Sequence, residues 1–457
     1  MRRISKRVFA LLVLLFGFAG GLVLLAVNFS LHGAQWAGHS ANGHIYSNGA
    51  VARAGAILDR NGAVLAESKD GKRRYPDSAT LRSATLHVVG DPEGFIAAGA
   101  HSAFRSILSG YSAVNGVFDL VRYGKGRDVV LSIDSSLCKT AYQALDGRMG
   151  TVGVYNYQTG EVLCMVSSPS YDPLHKPKDI NNEKKYEAVY LNRFLQGVFT
   201  PGSTFKVVTA ACALENMPEL ETRSFTCTGR FATGAGYVTC RAKHGKLGFE
   251  EALNVSCNSV FAQLGVELGE DRLRKTAEQM GFNQSYRASG IPLAASVFQK
   301  GEMNALELGW ASIGQHTTLA NPCQMLILMG AIANGGQGIA PRLLLESRSP
   351  SGSVKAEGAK PKTAVEMNSE TAARLRELLR SNVTNTYDPS GSRTGSLQLC
   401  GKTGTAEVDG ETPHAWFIGF SRNPQTPYAI VVVGENAGSG QEVAFKIAAK
   451  VMRAAAG

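Results

Sequence analysis

The sequence predicts an α+β fold: an antiparallel five-stranded sheet packed with helices plus a helical subdomain, following a small N-terminal domain and a single transmembrane helix. Three observations predict it: a long uncharged run near the N-terminus, two strand patterns early in the main region, and three more close to its end. Strands from both ends of a domain can form one sheet around an inserted helical region. We therefore expect the sheet to be assembled from both ends of residues 134–457.

The N-terminus predicts a membrane anchor. The 20-residue run from Val8 to Val27 carries no charge and follows four basic residues. As a helix it would span about 30 Å, the thickness of a bilayer core. Because basic flanks stay inside, we expect residues 1–7 to be a cytoplasmic basic tail, 8–27 a single-pass anchor in the cell membrane, and the chain after Val27 to be extracytoplasmic. A cleaved signal peptide is the alternative.

Residues 28–133 are predicted to form an N-terminal stalk or dimerisation-like module. A linker rich in small and polar residues extends to residue 52, and the Asn-Gly pair at 61–62 between two apolar runs predicts a hairpin. A strand is expected at 127–133, leading into the main domain. In residues 134–457 the predicted elements are strands 151–157, 161–166, 397–407, 414–420 and 428–434 and a closing helix over 441–455.

The first candidate for chemistry lies at residues 201–206, where the run Pro-Gly-Ser-Thr-Phe-Lys opens a strongly apolar helix. Ser203 and Lys206 are three residues apart, so a helix stacks them on one face. A serine hydroxyl is a poor nucleophile until a base takes its proton, and a buried lysine with a lowered pKa can be that base. The helix N-terminus would favour an oxyanion near Ser203. Alone, this spacing is common on protein surfaces.

A second motif is Ser256-Cys257-Asn258, which begins 53 residues after Ser203. Ser256 can relay a proton between the nucleophile, its lysine and a leaving amine. Asn258 can donate and accept hydrogen bonds to a substrate amide. By itself this short pattern carries little information.

A third motif, Lys402-Thr403-Gly404-Thr405, lies on a predicted strand 146 residues further on. A second lysine close to Lys206 would disfavour protonation of one of the two by like-charge repulsion. Gly404 would let an extended substrate approach the strand backbone, and the two threonines would hold a carboxylate.

Together the three motifs resemble the signature set of serine β-lactamases and penicillin-binding proteins. The runs at 60–62, 199–206, 402–407 and 416–419 are similar to those of class B penicillin-binding proteins. The compact N-terminal module resembles that of the short Gram-positive enzymes of this class. The resemblance implies the penicillin-binding transpeptidase fold, which serine β-lactamases share.

The resemblance also implies the reaction, a peptidoglycan D,D-transpeptidation that cross-links stem peptides. A donor stem ending in D-Ala-D-Ala would acylate Ser203 and lose its terminal D-alanine, and an amine of a neighbouring stem would capture the acyl group. β-Lactams would trap the first step. Thr403 and Thr405 would bind the terminal carboxylate, and the N–H groups of Ser203 and Thr405 would form the oxyanion hole.

By position, Lys206 would be the base and Ser256 would shuttle the proton, while Asn258 and Lys402 would place the donor peptide. A D,D-carboxypeptidase or a β-lactamase is the enzymatic alternative, although the glutamate expected after the second motif in one β-lactamase class is not apparent. A catalytically inactive scaffold of a wall-synthesis complex is the alternative from another class of function. The three intact motifs speak against it.

Eight cysteines follow the apolar run. Cys227, Cys240, His244 and Cys257 offer three thiolates and one imidazole, a closed tetrahedral zinc set. Some class B relatives are similar in carrying a structural zinc in this region. A Cys227–Cys240 disulfide or unrelated buried thiols are the alternatives. No cofactor is required for the catalysis that the resemblance implies.

The formal net charge of +10 is spread along the chain, without a basic run of the nucleic-acid-binding type. We therefore expect no nucleic acid partner. The resemblance implies a peptidoglycan glycosyltransferase as a partner in the membrane, since class B enzymes work beside one.

Overall fold

The computed structural model describes residues 2–37, 46–47, 50–51, 53–70, 72–91, 93–111, 116, 122–356 and 362–457. The α-helices with both ends described are α1 Arg2–Ala37, α2 Ala79–Val89, α3 Ala100–Ala103, α4 Arg105–Leu108, α5 Ser135–Leu145, α6 Arg193–Gln196, α7 Lys206–Asn216, α8 Phe249–Asn254, α9 Asn258–Leu268, α10 Glu270–Gln279, α11 Ala305–Ala311, α12 Pro322–Ala333, α13 Ser369–Asn382 and α14 Lys446–Ala456.

The strands are β1 Tyr46–Ser47, β2 Ala50–Val51, β3 Ile57–Leu58, β4 Val64–Lys69, β5 Lys72–Arg74, β6 Asp128–Leu131, β7 Gly150–Asn156, β8 Val162–Ser168, β9 Phe225–Cys227, β10 Arg230–Ala232, β11 Tyr237–Thr239, β12 Gly245–Leu247, β13 Arg287–Ala288, β14 Ile291–Pro292, β15 Gln337–Ile339, β16 Leu344–Arg348, β17 Val354–Ala356, β18 Thr363–Glu366, β19 Leu399–Val408, β20 Glu411–Ser421 and β21 Tyr428–Gly434.

The main sheet has five antiparallel strands in the order β19-β20-β21-β7-β8. The prediction that two early and three late strands form one sheet is therefore confirmed. The strands β7, β8 and β21 are almost continuously buried and read as near-continuous apolar runs. Helix α12 packs on β7, β20 and β21, while α5 and α14 pack on each other and on β8 and β21 respectively. The chain between the two halves of the sheet forms the predicted helical subdomain.

A second sheet of six strands, in the order β17-β16-β6-β3-β4-β5, lies in the N-terminal region. The predicted hairpin is present, since the Asp59 carboxylate accepts the N–H groups of Asn61 and Ala63 and Gly62 takes a φ of +84°. Strands β16 and β17 join this sheet from far along the chain, which the sequence did not predict. The predicted boundary at residue 133 is thus crossed by two strands of the C-terminal region.

Helix α1 is longer than the predicted anchor. It continues through residues 28–37, which were expected to begin the linker, and this segment contains no proline that would end the helix. By length and composition, Lys6–Gly33 is long and apolar enough to cross a membrane. The remainder of the predicted linker lies largely outside the described residues.

The N-terminal region is fastened to the main domain through α2. Arg82 forms a salt bridge of 2.6 Å with Asp172, and the buried His87 ring donates through Nε2 to the carbonyl of Val189 at 2.8 Å. Burial lowers the pKa of His87 to about 4, so the ring is neutral in the folded protein.

Candidate active site

Ser203 lies on a single 3-10 turn, Gly202–Phe205, that leads directly into α7. Sequence reasoning predicted one continuous helix, but Gly202 takes a φ of +53° and its N–H donates to the carbonyl of Gly314 at 2.9 Å, which tightens the first turn. Ser203 is half-buried and lines an open cleft. Lys206 follows one turn later and is fully buried beneath it.

The second motif forms the connection between α8 and α9 and brings three acceptor atoms of two residues onto Lys206. Ser256 takes a φ of +54°, a left-handed conformation uncommon for serine, so the chain reverses sharply before α9 begins at Asn258. Lys206 Nζ donates to the Ser256 carbonyl at 2.7 Å, to Ser256 Oγ at 3.2 Å and to Asn258 Oδ1 at 2.7 Å. These contacts fix the lysine at the base of the cleft.

The third motif lies on β19 at the edge of the main sheet. Lys402 Nζ donates to Ser256 Oγ at 2.9 Å, to the carbonyl of Thr403 at 3.0 Å and to Tyr387 Oη at 3.3 Å. The Ser256 hydroxyl is therefore held between two lysine amines. The structure brings together Ser256 and both lysines, although they are far apart in the sequence.

Both lysines are fully buried, and burial lowers the pKa of each because a charged amine loses its hydration. The pKa of Lys402 is lowered to about 7, first by burial and then by the charge of Arg241. The pKa of Lys206 is lowered well below its usual range, first by burial and then by repulsion from Lys402. The lowered pKa favours the neutral form of Lys206, which is the form that can accept a proton.

Thr403 and Thr405 line the cleft together with Ser203 and Asn258, as expected for alternate residues of one strand. Gly404 differs from the expectation. A side chain there would not face a substrate but would meet the carbonyl oxygen of Pro201 at 2.7 Å. The glycine therefore lets β19 pack closely against the turn that carries Ser203, rather than letting substrate approach the strand.

Sequence reasoning missed several residues that line the same cleft, including Arg241, Trp310, Tyr387, Ser439 and Gln441. They come from four parts of the chain, with Ser439 and Gln441 at the start of one helical turn, and share no local pattern. The only sequence signal for one of them was its position beside a suspected metal ligand, since Arg241 follows Cys240.

The four residues of the predicted zinc set also lie together, with their ligand atoms all within 4.8 Å of one another. Cys240 Sγ is 3.6 Å from His244 Nδ1 and 3.9 Å from Cys257 Sγ. A tetrahedral zinc with Zn–S bonds of about 2.3 Å separates its ligand atoms by about 3.8 Å, so the set fits this metal. The alternative Cys227–Cys240 disulfide is not formed, because both cysteines are free.

Cys257 lies between two residues that line the cleft but does not itself line it. Ser256 and Asn258 line the cleft, whereas Cys257 is fully buried and faces the other side of the turn. The contact between the Cys240 and Cys257 sulfur atoms is the main cause that lowers the pKa of Cys240 to about 3, which favours the thiolate form that metals bind.

The arrangement can perform nucleophilic acyl transfer. It combines a hydroxyl at the N-terminal end of a buried helix, a buried amine of lowered pKa one turn along, and a second hydroxyl held by two amines. Ser256 and the two lysines form one hydrogen-bonded network beside the cleft that Ser203 lines, and the same cleft offers threonine hydroxyls to an anion.

Comparisons with known proteins agree with this chemistry. Residues 150–453 match the family described as the penicillin binding protein transpeptidase domain. The chain is 28% identical over 403 residues to the peptidoglycan D,D-transpeptidase PbpA of Mycolicibacterium smegmatis, covering 81% of each chain. It is 28% identical over 439 residues to the stage V sporulation protein D of Bacillus subtilis, covering 87% of this chain and 65% of that protein.

Among solved structures, the chain resembles penicillin-binding protein A of M. tuberculosis in its ceftriaxone acyl-enzyme complex, with a TM-score of 0.79 and 26% identity over 88% of this chain and 98% of the other. It also resembles the D,D-transpeptidase domain of a peptidoglycan glycosyltransferase from Eggerthella lenta, with a TM-score of 0.76 and 27% identity at the same coverage. Because the family match covers most of the chain, this chain belongs to the penicillin-binding protein transpeptidase family, in its class B branch.

Proposed function

We propose that this chain is a peptidoglycan D,D-transpeptidase, acylated by β-lactams, that carries its acyl group on Ser203. One observation carries the proposal: the Ser256 hydroxyl is held between the amines of Lys206 and Lys402 in the cleft that Ser203 lines. Relatives named as D,D-transpeptidases and a neighbour solved as a β-lactam acyl-enzyme support the same reaction class.

In the acylation step, Lys206 accepts the Ser203 proton as Oγ attacks the carbonyl of the penultimate D-alanine. A C–O bond forms and the C–N bond to the terminal D-alanine breaks. The departing amine takes a proton from Ser256 Oγ, and Ser256 regains a proton from Lys206, which holds the one taken from Ser203. The low pKa of Lys206 is what makes the first transfer feasible near neutrality.

Substrate placement uses the walls of the cleft. Thr403 and Thr405 offer hydroxyls to the terminal carboxylate, and Arg241 lines the same cleft as a cation. Asn258 holds the donor amide. The N–H groups of Ser203 and Thr405 stabilise the oxyanion, as donors fixed before the reaction begins.

In the second step, an amine from a neighbouring stem attacks the ester and Ser203 recovers its proton. Attack by water instead would make the enzyme a D,D-carboxypeptidase or a β-lactamase, and these are the alternatives within the same fold. An inactive scaffold of a wall-synthesis complex is the alternative outside enzymology.

Labelling with a fluorescent penicillin tests the proposal. The full chain in detergent is followed by intact mass for several hours, beside Ser203→Ala and the control Ser136→Ala, which changes an exposed serine on another helix. A lasting adduct on wild type and on the control, absent from Ser203→Ala, is expected. Rapid loss of the adduct would identify a hydrolase, and no adduct on folded wild type would favour the scaffold.

The metal hypothesis is that Cys227, Cys240, His244 and Cys257 hold a structural zinc that braces the turn bearing Ser256 and Asn258 from behind. The fit of the four ligand atoms to a tetrahedral metal supports it. Metal analysis of protein purified without chelators should find about one zinc per chain in wild type and in Cys212→Ala, but little in Cys240→Ser. A metal-free wild type would end this hypothesis.

For topology, we propose that α1 is a single-pass anchor with residues 1–7 in the cytoplasm and the catalytic domain outside. The basic flank and the apolar length of α1 support it. Residues 28–133 would then be the stalk or dimerisation-like module and 134–457 the transpeptidase domain. Protease treatment of intact cells should remove the body of the chain, and its survival beside a cleaved surface control would refute the orientation.

We further propose that a membrane glycosyltransferase works beside this enzyme, since a transpeptidase consumes stems on newly made glycan. Crosslinking in cells through residues of α1, followed by purification, should recover such a partner. If only copies of this chain are recovered, the proposed partner is wrong.

A further inference from the structure

The segment Val383–Tyr387, a π-helical turn at the end of α13, is wedged between two of the three motif-bearing elements. Single π-turns within helices occur frequently at functional sites, because the extra residue redirects one side chain. Here the redirected residue is Tyr387, which lines the cleft and which no motif includes.

On one side, the end of α13 is fastened to β19, the strand of Lys402. Arg380 Nη1 donates to the carbonyl of Leu399 at 2.9 Å, and Asn382 Nδ2 donates to the carbonyl of Gly401 at 3.2 Å. Asn382 is fully buried. Two side-chain hydrogen bonds therefore hold the helix end against the strand.

On the other side, the same segment is fastened to α8 and the turn that follows it, just before Ser256. Asn254 Nδ2 donates to Ser381 Oγ at 3.0 Å, and Thr386 Oγ1 donates to the carbonyl of Asn254 at 3.3 Å. Ser381 Oγ in turn donates to Glu250 at 2.7 Å. The π-turn thus spans the gap between the second and third motifs.

Tyr387 lies at the point where the two sides meet. Its hydroxyl oxygen accepts hydrogen bonds from Lys402 Nζ and from the backbone N–H of Thr403, both at 3.3 Å. The ring is almost completely buried and packs on Phe445, with ring centroids 5.6 Å apart. One oxygen atom therefore contacts both the catalytic-motif lysine and the backbone of the substrate-binding strand.

We propose that Tyr387 is a positioning residue for the acylation reaction: its neutral hydroxyl directs Lys402 onto Ser256 Oγ and holds the backbone of Thr403 in register with the cleft. The inference rests on the proposed function. A neutral partner is needed here because a carboxylate would stabilise the ammonium form of Lys402 and hold the proton on it. A phenol orients the amine and leaves its proton exchangeable.

The electrostatic setting agrees with this role. Burial raises the pKa of Tyr387 above its usual value, so the phenol stays protonated at working pH. The charged or titratable groups that face Lys402 are Lys206 on α7, Arg241 on the loop after β11 and Tyr387 itself. None of these groups is a carboxylate that could pair with Lys402, and the Arg241 guanidinium repels its ammonium form, so Lys402 depends on its hydrogen bonds for orientation.

The test is Tyr387→Phe in the full-length chain, with the second-order rate constant of acylation by a fluorescent penicillin measured from pH 5 to pH 10. We expect a fall of about tenfold to a hundredfold, the usual effect of losing a hydrogen bond to a charged group. The alkaline limb of the profile should also move to lower pH by about one unit, because the Lys402 ammonium loses an acceptor. A purely structural role would not move that limb.

Two control variants separate the hydroxyl from packing. Tyr157→Phe removes a buried hydroxyl that bonds the carbonyl of Ser421 at 3.3 Å on the same sheet, outside the cleft, and should leave acylation unchanged. Phe445→Leu loosens the packing of the Tyr387 ring but keeps its hydroxyl. It should lower the melting temperature and keep most of the acylation rate.

The outcomes decide between the two proposals. If wild type is not acylated at Ser203, the proposed function fails. If wild type is acylated and Tyr387→Phe has the same rate and pH profile, only the role of Tyr387 is wrong. A Tyr387→Phe protein that does not fold, or a rate loss matched by Tyr157→Phe, would equally overturn the inference.

Discussion

Replacing Lys206 tests whether this amine is the base. Lys206→Met keeps the length and volume of the side chain, so it leaves little cavity in the buried site. It removes the donor for the Ser256 carbonyl and for Asn258 Oδ1, which lie 2.7 Å from Nζ. Each buried acceptor left without a partner lowers the free energy of unfolding by about 1–3 kcal/mol. Part of this loss is offset, because the variant no longer has to bury an amine. The variant should therefore fold.

Its reactivity should change far more than its stability. General base catalysis contributes about 10²- to 10⁴-fold, so the acylation rate constant should fall by that factor, or about 3–5 kcal/mol in activation free energy. Lys206→Arg is the matched variant, because it keeps a donor and a charge but cannot give up its proton near neutral pH. If the amine acts as a base, the arginine variant should be nearly as slow as the methionine variant.

Stopped-flow fluorescence with a reporter β-lactam at pH 7 measures both variants, and urea unfolding of the same samples measures stability. A Lys206→Arg enzyme that keeps most of the wild-type rate would show that the residue only holds Ser256 and Asn258 in place. In that case the reasoning from its buried, low-pKa amine is wrong, and Ser256 must receive the proton directly.

Three further predictions concern the frame around the site. The folded pKa of His87 lies near 4 and below its unfolded value of about 6.5, so its contribution is complete above pH 6.5 and is lost as pH falls towards 4. The free energy of unfolding, measured with urea, should fall between pH 7 and pH 5 by about 2 kcal/mol less in His87→Gln than in wild type. The same fall in both proteins would contradict the low pKa of His87. Arg193→Ala leaves Glu435 without its buried partner and should lower the free energy of unfolding by about 3–5 kcal/mol, measured by denaturant titration; a loss under 1 kcal/mol would show that the pair is solvated. Gly404→Ala should slow acylation at least tenfold, because its methyl group presses on the carbonyl of Pro201, without closing the cleft to the stem peptide. A crystal structure with an undisturbed site, or a wild-type acylation rate by intact mass, would refute the close-packing explanation.

Much of the fold was predictable because its signals are local. Alternating or continuous apolar runs identified all five strands of the main sheet, and the closing helix followed from its apolar spacing. The hairpin before Val64 was predicted from a dipeptide, since turn chemistry depends on a few adjacent residues. The addition of β16 and β17 to the N-terminal sheet was not predictable, because pairing between strands that are distant along the chain leaves no local pattern.

The sequence by itself determined which residue types are available for the chemistry: a serine and lysine one turn apart, a serine and asparagine, and a lysine with two threonines. Only the tertiary structure decided their states. It buried both lysines so that their pKa values fall, and it enclosed the Ser256 hydroxyl between them. It also brought Tyr387 to Lys402 from an element with no motif and turned Gly404 towards Pro201. Reactivity depends on solvation and on distances between segments that are remote along the chain, and these exist only once the chain has folded.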